Sequence, residues 1–223
     1  LLENEFKVYN FAYNGYGTHH ALSILYHNAE ESIIEYEPKH FFYMAIPDHV
    51  NRNINIKKDW GHYGAKFLLD ENGEANFEGY FHELPLTLYE EFRNKLFESE
   101  IFQKFHGIGG LDPDVDLFIA MIDKMQDIIK KKYPNCEFHV IYWEHEGKDI
   151  GKLLDNKITS RLKKKENEWN IHYMSKLIPD FGESHDHQIY FPFDGHQKEY
   201  MNDTIANYIV RTIKNKKHMQ ASN

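Results

Sequence analysis

The 223-residue chain has one cysteine, Cys136, so no internal disulfide can staple it. That leaves the compartment open, because exported enzymes often do without disulfides. Long apolar runs are missing too: the most hydrophobic stretch, Phe41–Pro47, is 7 residues, against roughly 20 for a helix that crosses a bilayer. No membrane span is expected. Basic charge is scarce, with 26 Lys+Arg against 35 Asp+Glu and a formal charge of −9 when the 15 His are neutral. Nucleic-acid interfaces are dominated by phosphate contacts and need a basic surface, so nucleic acid is not an expected partner. There is no internal repeat, low-complexity segment or linker, and residues 1–223 read as a single domain. At 41% hydrophobic and 15% aromatic, the chain has material for a core.

Short aromatic and apolar runs are what the chain does have. Lys7–Tyr13, His40–Ile46 and Phe138–Trp143 are apolar on both parities, the pattern of strands buried on two faces. Helical stretches separate them, which predicts βαβ units and a mostly parallel sheet. The clearest helix opens at Asp112-Pro113, with Asp112 as cap and Pro113 in the first helical position. Val115, Phe118, Ile119, Ile122, Met125 and Ile129 mark its apolar face, and Lys130-Lys131-Lys132 reads as a solvated end before Pro134. Asn72-Gly73 between two strand-like runs predicts a hairpin excursion near residues 62–82. Further helices are expected over Leu86–Phe105, Gly147–Lys165 and Met201–Ile213, with a last strand over Asn170–Leu177.

In open α/β sheets the active crevice lies outside the carboxyl ends of the strands. Two segments fall there. Asn10-Phe11-Ala12-Tyr13-Asn14-Gly15-Tyr16-Gly17-Thr18 joins a strand to a helix through two glycines, so backbone N–H groups can approach a ligand closely. Phe191-Pro192-Phe193-Asp194-Gly195-His196 precedes the last helix, where Asp194 can hold the His196 imidazole in one tautomer for general-base work.

In this order, the two segments resemble blocks of the SGNH/GDSL hydrolase family. The resemblance implies a three-layer α/β/α, flavodoxin-like fold with a five-stranded parallel sheet of order 2-1-3-4-5. It also implies a serine ester hydrolase (esterase, lipase or O-acetyl esterase) in which His196 takes the serine proton, Asp194 orients His196 and the Gly15 N–H sits in the oxyanion hole. No cofactor and no metal are called for. The implied substrate is a small-molecule ester, an acyl lipid or an O-acylated glycan, and the setting bacterial, either cytoplasmic or exported.

Besides the final block, where one residue rather than two separates Asp194 from His196 and Gln197 follows where Pro is common, the sequence departs from the family at two places. Where the family has an oxyanion-donating Asn, this chain has Asp48, in Pro47-Asp48-His49-Val50-Asn51-Arg52-Asn53. An ionised carboxylate about 4 Å from an oxyanion would repel it by roughly 4 kcal/mol at an effective dielectric near 20. One good donor contributes only about 2.7–4 kcal/mol. Asp48 must therefore turn away, be protonated, or have its charge offset by His49 or Arg52. The second departure is the Gly-Asp-Ser nucleophile block, which does not occur; Gly182-Glu183-Ser184 is a poor imitation in a polar stretch. The opening Leu1-Leu2-Glu3-Asn4-Glu5-Phe6 has no initiator Met and no turn chemistry, and reads as an internal point of a longer product. The expectation is that the first strand and its serine lie upstream of Leu1.

Two other readings compete. The same scaffold without a nucleophile would be a non-catalytic binding protein. Alternatively, His185, His187 and His196, with Glu183, Asp186 and Asp194, could assemble a metal-dependent hydrolase, to which His19-His20, His49 and His62 add further imidazoles.

Overall fold

The structure is a computed structural model that describes residues 6–56, 61–100, 111–144, 151–178 and 199–220. Backbone contacts divide the chain into two units, Phe11–Ile178 and a second made of Leu1–Asn10 with Pro179–Asn223. In chain order the first unit contains α1 (Thr18–Tyr26), β1 (His40–Ala45), α2 (Asp48–Asn53), β2 (Ala65–Leu69), β3 (Ala75–Tyr80), α3 (Leu88–Glu98), α4 (Asp112–Lys132), β4 (Glu137–Tyr142), α5 (Gly151–Lys165), β5 (Asn170–Tyr173) and the short α6 (Met174–Leu177). The second contains α7 (Glu199–Gln220), on which Met201, Ile205 and Ile213 are buried.

The fold is mixed α/β around a parallel sheet of order β1-β4-β5. Partners in register share a face. Phe41 lies opposite Phe138, Tyr43 opposite Val140, Ala45 opposite Tyr142, and Tyr142 opposite Tyr173. These residues join one apolar cluster with Leu22 and Leu25 of α1 and with Val115, Phe118, Ile122, Met125 and Ile129 of α4. Every residue of the expected apolar face of α4 is buried. Burying one such side chain is worth about 1.5–3 kcal/mol, so α4 supplies a large share of the core.

Lys7–Tyr13 is not a strand. None of the described residues 6–13 is in one, the segment joins neither sheet, and Tyr13 is 73% exposed. Aromatic content alone does not make a strand, which also needs a ladder of backbone hydrogen bonds to an adjacent strand. The last strand is shorter than its apolar pattern: it stops at Tyr173, and Met174–Leu177 turns helical where the Glu144 carboxylate accepts from Ser175 N–H and Oγ at 2.7 and 2.5 Å. At the start of α4 the cap is Leu111, with Pro113 one position later than expected. Asp112 instead accepts from Arg161 at 3.0 Å and pairs with Lys157 at 3.5 Å. Nor is the lysine end of α4 wholly solvated, since Lys132 pairs with the buried Glu30 and donates to Leu25 O at 3.3 Å. The expected helices over Leu86–Phe105 and Gly147–Lys165 appear as α3 and α5, whose described bounds are narrower.

β2 and β3 pair antiparallel around a loop that contains Asn72-Gly73. Gly73 N–H donates to Asp70 O at 3.1 Å, and Gly73 has φ +79 while Asn72 does not have positive φ. This is a turn closed by a left-handed glycine rather than the two-residue loop that Asn-Gly favours. Asp70 explains the difference. Its Oδ1 accepts from Asn72 N–H and Glu74 N–H, both at 2.9 Å, and its Oδ2 from Asn76 at 3.0 Å. These bonds hold the Asp70 carboxyl below its usual range.

Candidate functional site

Two segments meet at the carboxyl end of β1: the turn that leads into α1 and the helix that follows β1 itself. Residues 13–16 form a turn in which Tyr16 N–H donates to Tyr13 O at 3.1 Å and Gly15 has φ +81. A positive φ at that third position suits glycine. The closing bond uses the Tyr16 N–H, not that of Gly15. Gly17 then starts α1, and its N–H donates to His20 Nδ1 at 3.2 Å. Here glycine is needed for proximity: a Cβ on Gly17 would meet Arg52 Cβ at 2.9 Å and His19 Nδ1 at 3.0 Å.

From the other side, Pro47 carries β1 directly into α2, and this short helix points its polar side chains at the first turn of α1. Arg52 Nη1 donates to Tyr16 O at 2.8 Å, while Arg52 Nε donates to Asp48 Oδ2 at 2.9 Å. Asn53 Oδ1 accepts from the His19 backbone N–H and lies 3.1 Å from His19 Nδ1. Tyr43, on β1, donates to Thr18 Oγ1 at 2.8 Å and lies 2.8 Å from His49 Nδ1. Because the Tyr43 hydroxyl spends its proton on Thr18, Nδ1 of neutral His49 is the donor in that contact, and Nε2 presents a lone pair.

The electrostatics follow from burial and from Arg52. His19 is fully buried, and desolvation, followed by the His20 ring, pushes it down to about 3. Desolvation and then the Arg52 guanidinium lower His49 to about 3 and His20 to about 4. All three imidazoles are therefore neutral at pH 7. Burial raises the Tyr43 phenol, which stays protonated as a donor. The Arg52–Asp48 pair is half-buried.

Gly15, Asp48 and His49 thus come to the same end of β1. The Asp48 carboxylate is engaged by Arg52 on Oδ2 and by Asn51 Nδ2 on Oδ1 at 3.3 Å. Neutral His49 offers an acceptor at Nε2 rather than a donor. Asp194 and His196 lie outside the described residues, as do Ser184, His185 and His187. The His19 and His20 rings touch at a 43° tilt with centroids 3.9 Å apart, whereas His62 packs against Tyr63 and His82. Sequence reasoning missed Tyr43, Thr18 and Asn53, the groups that stitch the two loops together. Tyr43 was hidden by its apolar surroundings, and Asn53 sits one helical turn beyond His49, a spacing that could have flagged it.

No family model, no curated protein and no solved structure matches the chain.

Proposed function

We propose that the chain is the body of an SGNH-type serine ester hydrolase of three-layer, flavodoxin-like architecture, with the attacking serine on a strand that would lie along the outer edge of β1. The carrying observation is the joining of the Tyr13–Thr18 turn to the Asp48–Asn53 helix at the carboxyl end of β1. Two features support the same reading. The order β1-β4-β5 corresponds to the 3-4-5 half of a 2-1-3-4-5 sheet, and among the described residues β1 is an edge strand, on the side where strand 1 would pair.

In this reading the serine attacks an acyl carbonyl, His196 accepts its proton and later delivers it to the leaving alkoxide, and Asp194 orients the ring. The Gly15 N–H donates to the tetrahedral oxyanion. Arg52, already on Asp48, offsets the carboxylate that replaces the family's Asn. The substrate class is a small-molecule ester, an acyl lipid or an O-acylated glycan.

A fluorophosphonate probe applied to the protein expressed from its whole reading frame tests this. The expected result is one modified serine, located by peptide mass spectrometry, with labelling lost in His196→Ala. No labelled serine, or labelling and esterase activity untouched by His196→Ala, overturns the triad. The first of these outcomes favours the non-catalytic binder, for which the missing Gly-Asp-Ser tripeptide speaks.

A further inference from the structure

A second cluster of imidazoles lies at the amino half of the sheet, on the face opposite Tyr43 and Val140. His40 opens β1, Glu137 opens β4, and the pairing sets His40 opposite Glu137 and Phe42 opposite His139. Three donor atoms converge there. His40 Nδ1 is 3.3 Å from His139 Nε2 and 3.5 Å from Glu137 Oε2, and His139 Nε2 is 3.3 Å from the same Oε2. Behind them, His139 Nδ1 lies 3.1 Å from Nε2 of His172 on β5. His139 is fully buried and stacked on Phe42 with ring centroids 4.4 Å apart, so its ring plane is fixed.

The three edges of this triangle, 3.3, 3.3 and 3.5 Å, are nearly equal, which is the pattern that ligands around a shared central cation produce. Ligands at about 2.0–2.1 Å from a tetrahedral zinc ion are about 3.3 Å apart.

We propose that His40 Nδ1, His139 Nε2 and Glu137 Oε2 form a divalent metal site that takes zinc, with His172 as the outer partner that fixes the His139 tautomer and orientation. Two imidazoles and a carboxylate are a ligand set that zinc favours over calcium or magnesium. The site ties the start of β1 to the start of β4. It stands at the amino end of the strands, away from the loops at the carboxyl end, so the ion's role is to staple the edge strand rather than to act on substrate. The proposal does not depend on the hydrolase reading.

The test uses the whole chain, stripped with chelator and titrated with zinc by calorimetry, with elemental analysis after dialysis. One zinc per chain and a rise in Tm on addition are expected. Glu137→Gln, a conservative change at a half-buried position, and His40→Gln should each lose stoichiometric binding while the far-UV circular dichroism is unchanged. His172→Gln should keep the ion with a Kd raised about 10–100-fold, the usual cost of losing an outer partner. Failure of the folded parent to retain zinc overturns the proposal. Uptake that survives Glu137→Gln and His40→Gln but is lost in His185→Ala/His187→Ala places the ion elsewhere and overturns it equally.

Discussion

Arg52 reaches back one helical turn to Asp48, with Nε 2.9 Å from Oδ2, and with the same guanidinium holds the Tyr16 carbonyl at 2.8 Å. One cation therefore neutralises a carboxylate and locks two loops together. It also keeps its neighbours uncharged: after burial itself, Arg52 is the strongest influence lowering His49 and His20. In Arg52→Met both rings should titrate at higher pH, rising toward 6.5 without reaching it, because burial persists. An NMR titration of the imidazole carbons reads this directly. Stability should fall by about 1–2 kcal/mol for one half-exposed ion pair and one hydrogen bond. Unchanged imidazole midpoints would show that Arg52 does not govern them.

Gly64 and Gly73 separate two reasons for glycine. A Cβ on Gly64 would meet His19 Nε2 at 2.6 Å, His19 Cδ2 at 2.8 Å and the Gly61 carbonyl at 3.1 Å, whereas Gly73 has nothing within 4 Å but a φ of +79. Gly64→Ala should cost about 1–3 kcal/mol through overpacking, and Gly73→Ala about 1–2 kcal/mol through backbone conformation alone. Urea denaturation in a His19→Ala background distinguishes them. There the Gly64→Ala cost should shrink while that of Gly73→Ala stays the same.

His19 makes the protein acid-sensitive. Its folded value is about 3 against 6.5 for the free side chain. Below pH 6.5 the unfolded chain binds a proton that the folded ring refuses until the pH nears 3. The contribution is thus intact above 6.5 and is lost as the pH falls, by up to about 1.4 kcal/mol per pH unit. Stability measured from pH 7 to pH 4 should decline, and His19→Gln should show a slope shallower by about that amount whatever its absolute stability. Equal slopes would remove His19 as the source.

Local physics explains which parts were legible in the sequence. The α4 face from Val115 to Ile129 was readable because one helix buries one stripe, and 3.6-residue spacing records that directly. β4 was readable because nearly all of it is buried, and β1 because its Phe41, Tyr43 and Ala45 face packs on the core although the strand lies at the sheet's edge. Lys7–Tyr13 misled because its aromatic pattern states a capacity for pairing, while pairing itself depends on a neighbour elsewhere in sequence. Asp48, His49 and Gly15 could be singled out by their position after strand-like runs, but Arg52's hold on Tyr16 joins residues 36 apart and leaves no local trace. The same holds for His40, His139 and His172, three histidines on three strands that only the register brings into line.

Lys66 and Glu90 form a buried ion pair at 2.8 Å that ties β2 to the first turn of α3. Glu90 also accepts the Thr87 N–H at 2.7 Å, while Thr87 Oγ1 accepts from Glu90 N–H at 3.2 Å, a complete capping box. Burial works to raise the Glu90 carboxyl, but Lys66 and Thr87 outweigh it and hold it below its usual value. Lys66→Met removes the counter-charge and strands a buried carboxylate, which should cost about 3–5 kcal/mol. Adding Glu90→Gln keeps an acceptor for Thr87 and removes the charge. The double variant should therefore be more stable than Lys66→Met alone by at least about 1 kcal/mol, a coupling of the size expected for contacting groups. The single variant should also lose part of its deficit on acidification, as Glu90 takes up a proton and no longer needs Lys66. Urea midpoints of parent, single and double variants at pH 7 and pH 5 check both statements, and strictly additive costs at both pH values would show that the pair does not anchor the hairpin electrostatically.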